Sequence, residues 1–405
     1  MNAMWLAEPS QWLKSGLRIG AGLTIGSLAY SRVRHHLVYR RLLHGHCPCD
    51  WSATACSKVY VHRPEEESAV ARIIRPAKDS PGSAMFFYIV GSSGCGKSTC
   101  VQWVCNQERS GCIYVTAHRK SNDFAGRLQD ALLMLDNLPN PVRLIYDVAL
   151  RIGHESAVED AASSKLVACC QALKEAAEGY RRKCGRPAVL IIDSAELLAG
   201  QPALEELLEA SRGWADQGLV RLVLVTSEDS FVKRLLDNTR CSVSGSHEVE
   251  DLNSGQALAF LQRRGLDGKA CHELVNHAGG RCIELVAAVE SLHNGQSMED
   301  VKQLILSAAE RLYQEAGLLD DTIHRKAGLR VVDALLRSPD RTVDFATWNR
   351  LVPNPKDKEA LLSSNVFSMQ HKHRRIGFDS RSVERYAQLH LKDVALSDAH
   401  CDCCA

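Results

Sequence analysis

A chain of 405 residues with 45% hydrophobic and 24% charged side chains is long enough for two or three domains and too apolar for a disordered protein. A formal net charge of +1 excludes a global nucleic-acid footprint, and the lack of a solenoid-period repeat or low-complexity tract excludes repeat and fibrous architectures. The sixteen cysteines are scattered along a chain without an apolar stretch ending in a small-residue cleavage site, so a reducing compartment is expected.

Residues 1–49 hold six Lys or Arg against one acid, Glu8, which leaves the rest of the chain mildly acidic. This basic, acid-poor composition is that of a mitochondrial targeting segment. Ile19–Ser31 is an uncharged run of thirteen residues. That is short of the roughly 18 a spanning helix needs, although Arg18 and Arg32 can snorkel outward to extend it. Gly16 with Gly20 and Gly22 with Gly26 add the spacing that lets membrane helices approach closely. Residues 1–57 are therefore expected to be a basic targeting or membrane-anchor segment, with a mitochondrial location and, as the alternative, a cytoplasmic one with a disordered basic tail. Two clusters are rich in metal-ligand types: His44, His46, Cys47, Cys49 and Cys56, and His400, Cys401, Cys403 and Cys404 in a Cys-rich tail over 393–405. Only Cys401 and Cys404 have C-x-x-C spacing and no second pair completes a zinc site, so free thiols are expected.

Tyr60–Pro76 reads as a short strand and then a charged helix, followed by a turn-rich hinge over Pro76–Ser83. Ala84–Val90 is a continuous apolar run of the kind buried on both faces of a sheet. Further strands are expected at Cys112–Thr116, Ala188–Ile192 and Leu219–Val225. Helices fall between them, among them one carrying Leu166, Cys169, Cys170 and Leu173 on a single face and one over Leu204–Trp214. Strands alternating with helices predict an α/β, doubly wound parallel sheet over residues 58–251. From Leu252 the strand signals stop. Asn253 with Gln256 forms a capping pair that opens a helical region over 252–320. Residues 321–392 read as three short helices, Val366–Met369, a basic tip over His371–Arg375, and Ile376–Phe378, the layout of a winged-helix-like domain.

Gly91-Ser92-Ser93-Gly94-Cys95-Gly96-Lys97-Ser98 fits G-x-x-x-x-G-K-[ST] in full, between a strand and a helix. Glycines let successive N–H groups turn into one concavity, to which the following helix adds its positive end. Lys97 is expected to neutralise the β- and γ-phosphates of ATP and Ser98 to ligate Mg²⁺, while Cys100 lies in the first turn of the helix beside the bound nucleotide. The magnesium shell needs a carboxylate at the end of a neighbouring buried strand, and Asp193, 95 residues after Ser98, supplies it. That interval leaves room for an added strand between the two motifs. Ser194 follows where hydrolytic members of this class usually carry Glu. Glu196 either stands in for it or simply opens the next helix, where an acid suits the dipole. Thr226 and Ser227, at the end of the next strand, either sense the γ-phosphate or cap the following segment. Cys95 sits among N–H dipoles that favour a thiolate, with a tolerated small side chain as the plain alternative.

With these residues in hand, the chain resembles the AAA+-related P-loop ATPases of the STAND and archaeal-ATPase group. The resemblance rests on Tyr60-Val61-His62-Arg63-Pro64-Glu65, on the phosphate loop, on VLIIDSAELL, and on Val225-Thr226-Ser227-Glu228-Asp229. Gly279-Gly280-Arg281 is similar to a paired-glycine motif of their helical lid. The resemblance implies an ATPase switch in which Mg-ATP controls lid and winged-helix position. It implies a protein partner that the sequence does not name, and it is compatible with a homo-oligomer. Ser194, and the lack of a clear arginine after the sensor strand beyond the candidates Arg234 and Arg240, point to slow hydrolysis. A nucleotide-gated scaffold and a winged-helix nucleic-acid-binding regulator are the alternatives.

Overall fold

The computed structural model describes residues 34–48, 60–75, 86–108, 110–133, 158–228, 231–232, 235, 245–320, 322, 324–370 and 373–392. Within them the apolar runs assemble into a parallel sheet of β1 (Phe86–Val90), β2 (Cys112–Thr116), β3 (Ala188–Asp193), β4 (Val220–Val225) and β5 (Gly245–Glu248), in the order β2-β3-β4-β1-β5. The two-residue period of a strand explains why these runs are apolar throughout. Ala188, Leu190 and Ile192 enter the core on one face, while Val189 and Ile191 enter the core on the other. The α/β doubly wound fold follows. β4 lies between β1 and β3, so the two motif strands are separated by the added strand and their ends line up along one edge, with Ile89 and Asp193 both opposite Val225.

One face is covered by α1 (residues 34–44), α4 (Ser121–Leu133), α5 (Val158–Cys184) and α6 (Pro202–Gln217). The other is covered by α2 (Pro64–Ile74) and α3 (Lys97–Glu108). α2 begins where Pro64 pre-sets the backbone and Glu65, Glu66 and Glu67 meet the positive helix end. Residues 60–63, the described stretch just ahead of it, form no strand, contrary to the sequence expectation at Tyr60.

The N-terminal boundary also differs from expectation. The targeting segment assigned to residues 1–57 contains α1 and a following arm, and both belong to the folded core. Val38 and Leu42 are fully buried, and Arg41 Nε donates to Ala131 O at 2.8 Å. The arm pairs in parallel with β2: His46 N–H donates to Cys112 O at 2.7 Å and Tyr114 N–H to His46 O at 3.0 Å. The basic residues of this stretch decorate a helix whose apolar side packs on the sheet, which composition alone does not distinguish from a leader. Residues 1–33, including the uncharged run, lie outside the described residues, as do the hinge at 76–83 and the tail at 393–405. Among the described residues, no helix is long and apolar enough to cross a membrane.

Beyond β5, α7 (Ser254–Gln262), α8 (Gly268–Ala278), α9 (Cys282–His293) and α10 (Met298–Glu315) surround a separate apolar core. The Asn253–Gln256 capping box is present in both halves, and Ser297 with Asp300 repeats it ahead of α10. The end of α10 enters a further core with α11 (Arg325–Arg337), β6 (Thr342–Asp344), α12 (Phe345–Leu351), α13 (Pro355–Ser363), β7 (Phe367–Gln370), β8 (Arg375–Phe378) and α14 (Arg381–Tyr386). Its antiparallel sheet runs β6-β8-β7. In the basic tip, Arg375 is held by Asp340 and by Thr342 Oγ1 at 3.1 Å. β5 and β6 have no counterpart among the sequence expectations.

Because Leu42 is buried in the same core as β3 and β4, Leu42→Ala is expected to destabilise the protein by about 2–5 kcal/mol. Thermal or denaturant unfolding followed by near-ultraviolet circular dichroism checks this. An unchanged midpoint would place α1 outside the cooperative unit.

Candidate functional site

The loop from Gly91 to Ser98 leaves β1 and enters α3 along the edge where β3 and β4 end. Its backbone demands glycine at two positions for different reasons. Gly91 has φ +151° and a Cβ there would meet Val249 O at 2.2 Å, while Gly94, at φ +77°, would meet Ile283 Cγ2 at 2.3 Å. Lys97 is buried, and its ammonium donates to Gly91 O at 2.6 Å and Ser92 O at 2.9 Å, which holds the charge inside the concavity. Ser98 Oγ donates to Asp193 Oδ1 at 3.0 Å. Loop, lysine, hydroxyl and strand-end carboxylate therefore converge at one place. A hydroxyl beside a carboxylate is an all-oxygen donor set, which fits Mg²⁺.

The residues after Asp193 are arranged by an unusual backbone. Ser194 adopts φ 56° and sends its N–H back to Asp193 Oδ1 at 3.0 Å, and a short 3₁₀ turn over Ala195–Leu198 follows. Glu196, in that turn, accepts from Ser227 Oγ at 3.0 Å through Oε1, while its buried Oε2 has no hydrogen-bond partner. The structure thus joins Glu196 to the end of β4 through Ser227. Thr226 is spent elsewhere: it is buried, and its Oγ1 accepts from Glu228 N–H at 3.1 Å in a local turn.

Two cysteines need correction. Cys95 turns its thiol away from the concavity toward Val249 O at 3.3 Å, and burial pushes it up against the pull of Lys97, so it does not favour a thiolate. Cys100 faces the core beneath α3 and burial raises it to about 12. The neighbouring Thr99 instead lines a cavity of about 210 Å³ at the end of the loop.

Val61, Gly96, Phe260, Arg264 and Val286 also line that cavity, and Arg264 lies 3.6 Å over the Phe260 ring. Apart from Gly96, sequence reasoning missed these residues as site components, because they come from the entry segment and from the lid, distant in the chain from the phosphate loop. The i, i+4 spacing of Phe260 and Arg264 was the available signal. Two buried arginines, also unassigned in the expected site, brace the loop from outside. Arg63 Nη1 donates to Cys95 O at 3.2 Å and its Nη2 to Glu250 O. Arg281 Nη1 donates to Ser93 O at 2.9 Å and to Asp379 Oδ2 at 2.8 Å, and its Nε donates to Asp251 Oδ1 at 2.8 Å. One turn on, Glu284 accepts from Ser382 Oγ at 2.8 Å, and burial raises its carboxyl to about 7. Arg234 and Arg240 lie outside the described residues. Among the described residues, no group of three or more His, Cys, Asp or Glu is placed to hold a metal ion.

Residues 79–235 match the family model described as an AAA domain. No curated protein matches the sequence. Among solved structures, the Walker-type ATPase of Pyrococcus abyssi is similar at 14% identity with a TM-score of 0.53, over 81% of this chain and 96% of that one. The Cdc6p structure of Pyrobaculum aerophilum aligns at 14% identity over 87% of this chain and 98% of that one, with a TM-score of 0.40. The Orc1 protein of Aeropyrum pernix in complex with DNA aligns at 15% identity over 85% and 97%, also at 0.40. At 14% identity the Pyrococcus likeness shows the fold alone, and the two lower scores add nothing to it.

Glu284 gives the region a defined pH dependence. In the folded chain it faces Arg281, Asp251, Ser380 and Ser382 and keeps its proton up to about pH 7, against an ordinary value of 4.5. Its stabilisation is therefore complete below 4.5 and is lost as pH rises through 7. Glu284→Gln is expected to flatten that decline in thermal midpoint, read from melts across the same pH range. A decline as steep as that of the wild type would assign the titration to another group.

Proposed function

We propose that this chain, an AAA+-related P-loop ATPase, is a nucleotide switch in which Mg-ATP held by the phosphate loop sets the position of the helical lid (252–320) and of a winged-helix-like C-terminal domain (321–392). The observation that carries the reading is Arg281. Standing just ahead of α9, it touches the phosphate loop at Ser93, the strand-to-lid connection at Asp251 and the C-terminal domain at Asp379. A change at the loop therefore reaches both outer units through one side chain. The arrangement of three helices with the β6-β8-β7 sheet supports the winged-helix-like reading.

In this reading the N–H groups of Gly91, Ser92, Ser93, Gly94, Cys95, Gly96, Lys97 and Ser98 face the phosphates. Lys97 exchanges its contacts with Gly91 O and Ser92 O for the β- and γ-phosphates. Ser98 and Asp193 hold Mg²⁺, which when bound screens the phosphate charge. The cavity beside Val61, Phe260 and Val286 takes the base. Glu196, fixed at Oε1 by Ser227 and without a hydrogen-bond partner at Oε2, orients and deprotonates the attacking water. Thr226 acts through the turn that presents Ser227. Delivery to mitochondria by the basic N-terminal segment belongs to the same proposal, although residues 34–48 of that segment pack on the sheet.

Lys97→Ala is expected to cost roughly 1.5–3 kcal/mol of ATP binding, about ten- to a hundredfold in affinity, by equilibrium titration. Glu196→Gln is expected to leave ATP affinity intact and to lower steady-state hydrolysis by about 10²–10⁴-fold. Binding without turnover in the wild type would favour a nucleotide-gated scaffold, and no binding at all would sink the proposal.

A further inference from the structure

We propose that Tyr114 is a positioning residue of the magnesium site, fixing the Asp193 carboxylate so that Oδ1 is presented to Ser98; this rests on the nucleotide reading above. Tyr114 lies in β2, two residues before Thr116, which is the register partner of Asp193. Side chains two residues apart on a strand share a face. From there the Tyr114 hydroxyl donates to Asp193 Oδ2 at 2.6 Å. The ring is buried within the core under α3.

A carboxylate only accepts, so the hydroxyl must donate, and a third group holds the phenolic oxygen in that orientation. Gln102 Nε2, one helical turn after Ser98 on α3, donates to the Tyr114 oxygen at 3.1 Å, so the phenolic proton is left for the carboxylate. Asp193 Oδ1 in turn accepts from Ser98 Oγ and from Ser194 N–H. An aspartate carboxylate rotates broadly about its last torsion unless both oxygens are held. Mg²⁺ tolerates little departure from octahedral geometry. Holding Oδ2 through Tyr114 therefore orders the other oxygen before the ion arrives. The arm beside β2 supports the arrangement, since Tyr114 N–H donates to His46 O.

The test is equilibrium ATP binding to the full chain across a series of Mg²⁺ concentrations, with one arm in EDTA. Tyr114→Phe removes the hydroxyl and keeps the ring. It is expected to raise the Mg²⁺ concentration that half-maximally enhances ATP affinity by roughly 10- to 100-fold, with affinity in EDTA unchanged. Gln102→Met removes the donor that holds the phenolic oxygen and is expected to shift the Mg²⁺ dependence in the same direction by less. A Tyr114→Phe protein with wild-type Mg²⁺ dependence overturns the proposal, and so does an equal loss of affinity with and without Mg²⁺, the mark of a merely structural role. Should Tyr114→Phe fail to fold, Gln102→Met decides by the same criteria. A wild-type protein that binds no ATP at any Mg²⁺ concentration removes the nucleotide reading and this one together, an outcome distinct from binding that ignores Tyr114.

Discussion

A buried guanidinium is costly unless every side of it is matched, and Arg281 meets that requirement with ligands from three parts of the chain. Two carboxylates, Asp251 and Asp379, and the carbonyl oxygens of Ser93 and Asp379 surround it. Removing water from such a charge costs several kcal/mol, recovered only when geometry and partners are complete. Replacing one partner leaves the others around an uncompensated ion. The phosphate loop, the start of the lid and the end of β8 are thereby held to mutual positions that their apolar cores alone do not specify. The separate cores set which elements exist, and this cation sets how they face one another.

The loop is bound into the same arrangement by backbone as well as by charge. Ile283 N–H donates to Gly94 O at 3.1 Å, and the absence of a side chain at Gly94 lets α9 approach that closely. Arg63 performs the matching service on the opposite side, between Cys95 O and Glu250 O. The concavity is therefore shaped by contacts outside it before any phosphate enters, which lowers the ordering cost of binding.

Much of the core was legible in sequence because its strands are buried on both faces and read as unbroken apolar runs. Cys112–Thr116 has the limits expected of it, and the Asn253–Gln256 box was recognisable from side-chain chemistry three residues apart. The phosphate loop was legible because its glycines serve geometry that no other residue satisfies. What stayed hidden depended on direction and on long-range pairing. β5 is a short polar edge strand, Gly245–Glu248, without the alternation that betrays a half-buried one. Thr226 and Ser227 are chemically alike, and only the twist at the end of β4 decides which of them reaches Glu196. The arm over 34–48 carries the charges of a leader and the burial of a core element, and composition reports only the charges.

That arm also closes an edge. By lying alongside β2, it occupies backbone groups of the strand at the margin of the sheet. An unguarded margin of this kind is a template for pairing with another chain. Trimming beyond residue 33 would then do more than shorten the protein, because it would uncover backbone groups of β2 that a second chain can pair with.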